Sequence, residues 1–192
     1  FDRFSNFARI GEGSLGGKGR GLAFLDHIIK QHPELNAFDN ADVMIPKTVV
    51  LCTDIFDEFM ETNALYLIAL SDIPDEEILR AVVQARLPER LIGDLEAYLD
   101  VVRQPIAIRS SSLLEDAHYQ PFAGIYSTYM IPYVESRDVR LKMLRDAIKG
   151  VYASVFYRDS KAYMTATSNV IDQEKMAVIL QEVAGNLSLI DS

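Results

Sequence analysis

The sequence predicts an α+β protein, helical through its first half and mixed strand and helix through its second. Three observations carry that prediction. Apolar residues recur at helical spacing from Lys18 to Val102, interrupted by one short apolar run. The pattern then changes at Pro105, where "PIAIRS" reads as a strand. A long amphipathic stretch and a second apolar run, "MAVILQEV", complete the chain. Its 192 residues suffice for one large domain or two small lobes, divided near residue 104 as 1–104 and 105–192.

Taken in order, Leu22, Leu25, Ile28 and Ile29 predict a helix over 18–31, closed by Pro33. "KTVVLC" predicts a buried strand, and Thr53 is placed to cap a helix carrying Ile55, Phe56, Phe59 and Met60. Segments 74–85 and 88–102 each open on a proline in the first turn and continue with helical spacing. After "PIAIRS" comes the polar cluster Ser110, Ser111, Ser112, then a loop containing "QPFAG", then "IYSTYMI" as a further strand. Ser136 is placed to cap a helix whose stripe is Leu141, Leu144, Ile148, Val151 and Val155.

Composition narrows the function. The chain is 49% hydrophobic and 24% charged, a globular composition, and its net charge of −9 excludes a general nucleic-acid or membrane-surface binder. No apolar run approaches the roughly 20 residues needed to cross a bilayer. The lone Cys52 ends an apolar run and reads as a buried structural thiol. A cytoplasmic location is expected. The start at Phe1, without Met, reads as a piece of a longer chain.

The stretch "GEGSLGGKGRG" satisfies neither nucleotide motif it suggests. A P-loop ending at Lys18 needs its first glycine where Glu12 stands and a hydroxyl where Gly19 stands. The dinucleotide fingerprint needs a buried strand before the glycines, and Asn6 and Arg9 interrupt "NFARI"; its acidic partner would be Glu34 or Asp39, in a polar connection. What both motifs share still applies: backbone N–H groups free to approach an anion, a helix N-terminus, and Lys18 adding charge there against the helix dipole. A solvated surface loop explains the residues equally well.

Arg109 stands at a strand end among small donors, suited to bidentate phosphate recognition or to a bridge with Glu115 or Asp116. Gln181 and Glu182 end the last apolar run, with Val183 and Ala184 behind, where they either face an adenine edge or emerge from the core.

The order "LGGKGRGLAFL", "IPKTVVLCTDIFDEF", "PIAIRSSSLLEDAHYQPFAGIYSTYMIP", "GVYASVFYRDSKAY", "AVILQEV" resembles the nucleotide-binding region of phosphoenolpyruvate synthase and pyruvate phosphate dikinase. Those proteins carry a GGKG segment, a proline-led strand ending in threonines, an RSS segment followed by an acidic pair, an FAG segment and a glutamine-bearing strand in this order. The likeness runs roughly from Gly13 to Ala184. It implies the N-terminal part of an ATP-grasp fold and a phosphotransferase that binds ATP and magnesium. It further implies that a carrier histidine on another domain takes the phosphoryl group and passes it to pyruvate.

By the same resemblance, Lys18 and Arg109 act on the ATP phosphates from two lobes, as the catalytic pair. Gly16 and Gly17 approach the phosphates, Gly124 covers them with Thr128 nearby, and Gln181, Glu182 and Val183 line the adenine pocket. Valine at Gly16 or Gly17 is expected to impair nucleotide binding and spare the fold. The sequence departs from the family at "SLL", at Tyr126 and at "QEVAG". None of His27, His32 and His118 has the carrier-histidine context, and the tail Gly185–Ser192 is unlike what the family places there. The second ATP-grasp half, the phosphohistidine and pyruvate domains and the magnesium ligands are expected outside these residues, so this stretch alone is expected not to turn over ATP. A nucleotide-sensing or interaction module without turnover, or a dikinase with another acceptor, is the alternative.

Overall fold

The computed structural model describes residues 5–37, 42–112, 126–166 and 175–184. Along them run β1 (Phe7–Ile10), α1 (Gly16–Gln31), a 3-10 turn (Pro33–Asn36), β2 (Thr48–Leu51), α2 (Thr53–Thr62) and α3 (Tyr66–Ala69). Next come α4 (Asp75–Gln84), α5 (Glu89–Val101), β3 (Ile106–Ser112) and β4 (Tyr129–Ile131), and finally α6 (Arg137–Ser154), α7 (Arg158–Ala166) and β5 (Met176–Glu182). The α+β class read from the sequence is the class observed.

The strands form one mixed sheet in the order β1-β2-β5-β3-β4. β2 lies parallel to β1, while β5 is antiparallel to both β2 and β3. β1, β2 and β3 therefore point the same way, and the segments that leave them emerge at one edge of the sheet. Strands from the two sides of residue 104 form adjoining blocks of this sheet, β1-β2 and β5-β3-β4, joined where β2 pairs with β5.

Alternation along the strands separates two faces. Val49, Leu51, Val178, Leu180, Ile106 and Ile108 face the main core, which α2, α4, α5 and α6 close with Phe56, Phe59, Val82, Leu95, Tyr98, Ile148 and Tyr152. Edge-to-face packing of Phe56 on Tyr152, with centroids 5.1 Å apart, fixes α2 against α6. Fully burying each such side chain contributes about 1.5–3 kcal/mol. The opposite face carries Val50, Ala177 and Ile179, covered by Leu15 and Leu22 at the start of α1.

Several elements differ from the sequence reading. "FARI" is a strand after all: it runs at the sheet edge, where Arg9 stays exposed and no continuous apolar run is required. The three serines continue β3 instead of leaving it, and all three are buried. "IYSTYMI" contributes only Tyr129–Ile131 as strand. Pro74 and Pro88 stand just outside their helices as N-caps, with extended ψ of 146° and 130°. Ser136 caps α6 as expected, its hydroxyl accepting from Val139 N–H at 3.4 Å. Among the described residues no helix is long and apolar enough to cross a membrane.

Candidate functional site

The edge at which β1, β2 and β3 end gathers the glycine loop, the first turn of α2 and the serines of β3. The loop's amides turn inward. Glu12 N–H donates to Asp54 Oδ2 at 3.1 Å, Gly13 N–H to Asp54 Oδ1 at 2.9 Å, and Ser14 N–H to Thr53 Oγ1 at 2.9 Å. Thr53 N–H returns a bond to the Ser14 carbonyl at 3.0 Å. A carboxylate in a nest of backbone N–H groups is the arrangement the sequence reserved for phosphate, here met by a side chain of the protein itself.

This placement explains the first two glycines. A Cβ at Gly11, whose φ is +100°, would strike the Asp54 carboxylate, and one at Gly13 would lie 2.6 Å from Thr53 Oγ1. It also corrects the role given to Thr53. That residue is the first of α2, Cys52 precedes it as N-cap without a side-chain bond, and the threonine hydroxyl serves the loop.

Burial alone would raise the Asp54 carboxyl. The amides of Glu12, Gly13 and Asp54 itself, with the Arg90 guanidinium 3.7 Å away, outweigh it and hold the group below its ordinary 3.8. The folded state therefore binds that proton less readily than the unfolded chain. Its stabilisation is complete above 3.8 and is lost as pH falls through and below that value. The expected result is a stability gap between wild type and Asp54→Asn, read from urea midpoints, that narrows as pH falls from 5 to 3. A gap constant across that window would place the contribution elsewhere.

Ser111 joins α1 to β3. Its hydroxyl accepts from Gly19 N–H at 3.0 Å and donates to the Leu15 carbonyl at 2.7 Å. Leu15, the N-cap of α1, has no side chain able to cap it, so Ser111 does this from across the fold. Ser111→Ala leaves a buried N–H unpaired and lowers unfolding stability by about 1–3 kcal/mol, measurable by urea titration. An unchanged midpoint would deny Ser111 this part.

Lys18 follows in the first turn of α1. It is exposed, and its Nζ reaches the Ser110 carbonyl at 3.2 Å. Arg109 is exposed next door and shares a strand face with Ser111, the face that meets α1. Lys18, on α1, and Arg109, on β3, thus belong to the same side of the sheet. Gly17 lies half-exposed beside Lys18, and Gly16 is buried against Ser111. Thr128 is exposed just before β4; continuing the pairing of Ile108 with Tyr129 sets it abreast of Arg109. Gly124, Glu115, Asp116 and His118 lie outside the described residues.

Gln181, Glu182 and Val183 lie further along β5. Gln181 sits three positions beyond Val178, the partner of Ser110, so about 10 Å separates them along the strand. It shares the α1 face, and its Nε2 donates to Thr48 Oγ1 at 2.9 Å. The Glu182 side chain alternates to the other face, where Oε1 accepts from Lys47 N–H at 2.9 Å. Val183 N–H donates to the Pro105 carbonyl at 2.8 Å. The structure therefore brings Gly16, Gly17 and Lys18 to the end of β3 that carries Arg109, sets Gln181 a short way off on the α1 face, and places Thr128 one residue before β4.

Three further features bear on chemistry. Cys52 is fully buried, and burial, aided by Asp54, pushes its thiol up to about 11, so it is inert as a nucleophile near neutrality. No group of three or more His, Cys, Asp or Glu side chains able to hold a metal occurs among the described residues. The cations and hydroxyls around Lys18 do not fit a magnesium site by themselves. A cavity of about 690 Å³ opens elsewhere, lined by Asp72, Ile73, Asp75, Arg158 and Lys161. Within it the Arg158 backbone N–H donates to Asp75 Oδ1 and Lys161 Nζ to the Ser71 carbonyl, both at 2.8 Å.

Thr53, Asp54 and Ser111 escaped the sequence reading as parts of this site. The signal for the first two was a Thr-Asp pair directly after a buried strand, which also describes an ordinary helix cap. Comparison with protein families matched the chain over residues 12–188 to the family described as "Pyruvate phosphate dikinase, AMP/ATP-binding domain". Comparison with individual curated proteins gave no match.

Proposed function

Since the chain belongs to the family of pyruvate phosphate dikinase AMP/ATP-binding domains, we propose that Lys18 and Arg109 hold the ATP polyphosphate on the α1 side of the sheet. The observation that carries this reading is the Lys18 ammonium resting on the Ser110 carbonyl beside Arg109, at the N-terminus of α1. Two cations and a positive helix end converge there. A guanidinium can take two phosphate oxygens at once, while the lysine adds a mobile point charge. Phosphoryl transfer rests mainly on positioning and charge neutralisation, which this arrangement supplies.

Gly17 lets the backbone approach the phosphates, and the exposed Thr128, one residue before β4, offers a hydroxyl to the same ligand. The adenine is assigned to the β5 end, against Gln181 and the backbone of Glu182 and Val183, so that one elongated ligand lies along the strand. Gly124 keeps the covering role that the resemblance gives it. In the finer reading the phosphoryl group goes to a carrier histidine on a companion domain and then to pyruvate. Magnesium, which supplies charge neutralisation when bound with ATP, is held by residues beyond those described. An ATP-grasp architecture and a cytoplasmic setting belong to the same proposal.

A series of ligands tests the phosphate assignment. ATP, ADP, AMP and adenosine, titrated by calorimetry, should bind with stepwise falling affinity as each phosphate is removed. Adenosine binding as tightly as ATP would sink the reading. A nucleotide-sensing module without turnover is the second reading, favoured by Gln181 and Glu182 being engaged within the sheet.

A further inference from the structure

The geometry points to Asp54, assisted by Thr53, as the positioning residue of the nucleotide site: it grips the amides of residues 12–14 and so sets where α1 begins and where Lys18 reaches. This rests on the reading of Lys18 as a phosphate anchor. Three consecutive loop N–H groups end on two adjacent side chains of α2, at 2.9–3.1 Å. Cys52 N–H adds a bond to the Ile10 carbonyl at 2.8 Å, so the loop is tied at its start as well. Gly11 and Gly13 remove the side chains that would hold loop and α2 apart.

The grip is itself anchored. Arg90 of α5 donates to Glu58 at 2.6 and 3.0 Å and stands 3.7 Å from the Asp54 carboxylate. The main helical layer thereby braces the carboxylate that, with the Thr53 hydroxyl, holds the loop. Two residues after Ser14 the backbone turns into α1 at Gly16, and Lys18 follows within that first turn. Ser14 Oγ accepts from Gly16 N–H at 3.1 Å, so play in residues 12–14 reaches the first residue of α1, where Ser111 also holds Leu15 and Gly19. Arg109, carried on β3, is independent of the loop. Asp54 occupies amides that a phosphate would otherwise use, which leaves the start of α1 as the place where the ligand meets backbone.

A double-mutant cycle on the full chain tests this, with ATP as the probe. Calorimetry is run well below each variant's unfolding temperature, with circular dichroism to confirm the fold. Asn at position 54 keeps size but offers one acceptor where two N–H groups need one each. Asp54→Asn should weaken ATP binding about 5- to 20-fold, less than losing a charged hydrogen bond outright, because the lysine is displaced and not removed. Combined with Lys18→Ala it should bind no more than about twofold worse than Lys18→Ala alone, because both act through the same ammonium. Combined with Arg109→Ala the losses should multiply.

Asp54→Asn within twofold of wild type, while Lys18→Ala is weakened, would overturn the positioning role and leave the phosphate anchor standing. Losses that multiply with both partners, or tighter binding in Asp54→Asn, would overturn it too. Lys18→Ala at wild-type affinity would remove the anchor and the inference together. Should Asp54→Asn not fold, Thr53→Val, which deletes only the acceptor for Ser14 N–H, carries the same expectations.

Discussion

Alanine at Lys18 or at Arg109 weakens ATP binding about 10- to 150-fold, the loss of one charged hydrogen bond worth roughly 1.5–3 kcal/mol. Both side chains are exposed, so neither is needed for folding, and unfolding midpoints should stay near wild type. The Lys18 variant also leaves the Ser110 carbonyl without its ammonium donor. Lys30→Ala is the control. It removes the same charge from the same helix, at the far end, where the lysine pairs with Asp26 at 2.6 Å, and should stay within twofold of wild type. Unchanged affinity in both Lys18→Ala and Arg109→Ala would return the glycine stretch to an architectural role alone.

Gly16→Val should unfold or strongly destabilise the protein, against the expectation from sequence that valine there spares the fold. Gly16 has φ +67°, and a Cβ would fall on the Ser111 backbone carbonyl, closer than any real contact. The left-handed conformation costs a substituted residue about 1–2 kcal/mol, and forcing β3 from α1 adds about 1–3 kcal/mol. For a chain of this size each kcal/mol lowers Tm by about 2–4 °C, so differential scanning fluorimetry should show a fall of about 5–20 °C. Gly17, half-exposed one residue on, keeps the original expectation of impaired nucleotide binding with the fold intact. A Gly16→Val protein of wild-type Tm would mean that α1 and β3 separate more easily than their contacts indicate.

The long amphipathic helix α6, the helices after Pro74 and Pro88, and the buried strands β2 and β5 were legible because periodicity reports burial, and burial shaped them. β1 was not. An edge strand needs only occasional apolar contacts, so its pattern in "FARI" is indistinguishable from loop. The serines of β3 misled for the opposite reason. They look like turn residues, yet β5 pairs with each of them, Ser110 to Val178 through Ser112 to Met176. Within the site, the charges of Lys18 and Arg109 were visible as residue types. Which way a glycine's N–H points has no sequence signature, so the capture of the loop by Asp54 and Thr53 could be seen only in three dimensions.

The place of β5 in the sheet bears on how the protein is made. It lies between β2 and β3, yet among the described strands it is the last to be synthesised. While the ribosome is still translating α6 and α7, β2 and β3 have no shared neighbour, and each exposes a row of unpaired backbone groups to other chains. The sheet cannot close until Met176–Glu182 has left the exit tunnel, so the nascent chain waits in an aggregation-prone state while the segment between Leu51 and Met176 is made. Pairing across more than a hundred residues is also slow, which lengthens that exposure. Nascent chains stalled before Met176 should therefore be held by chaperones and readily cleaved by protease, and those stalled well beyond Glu182 should be released and resistant.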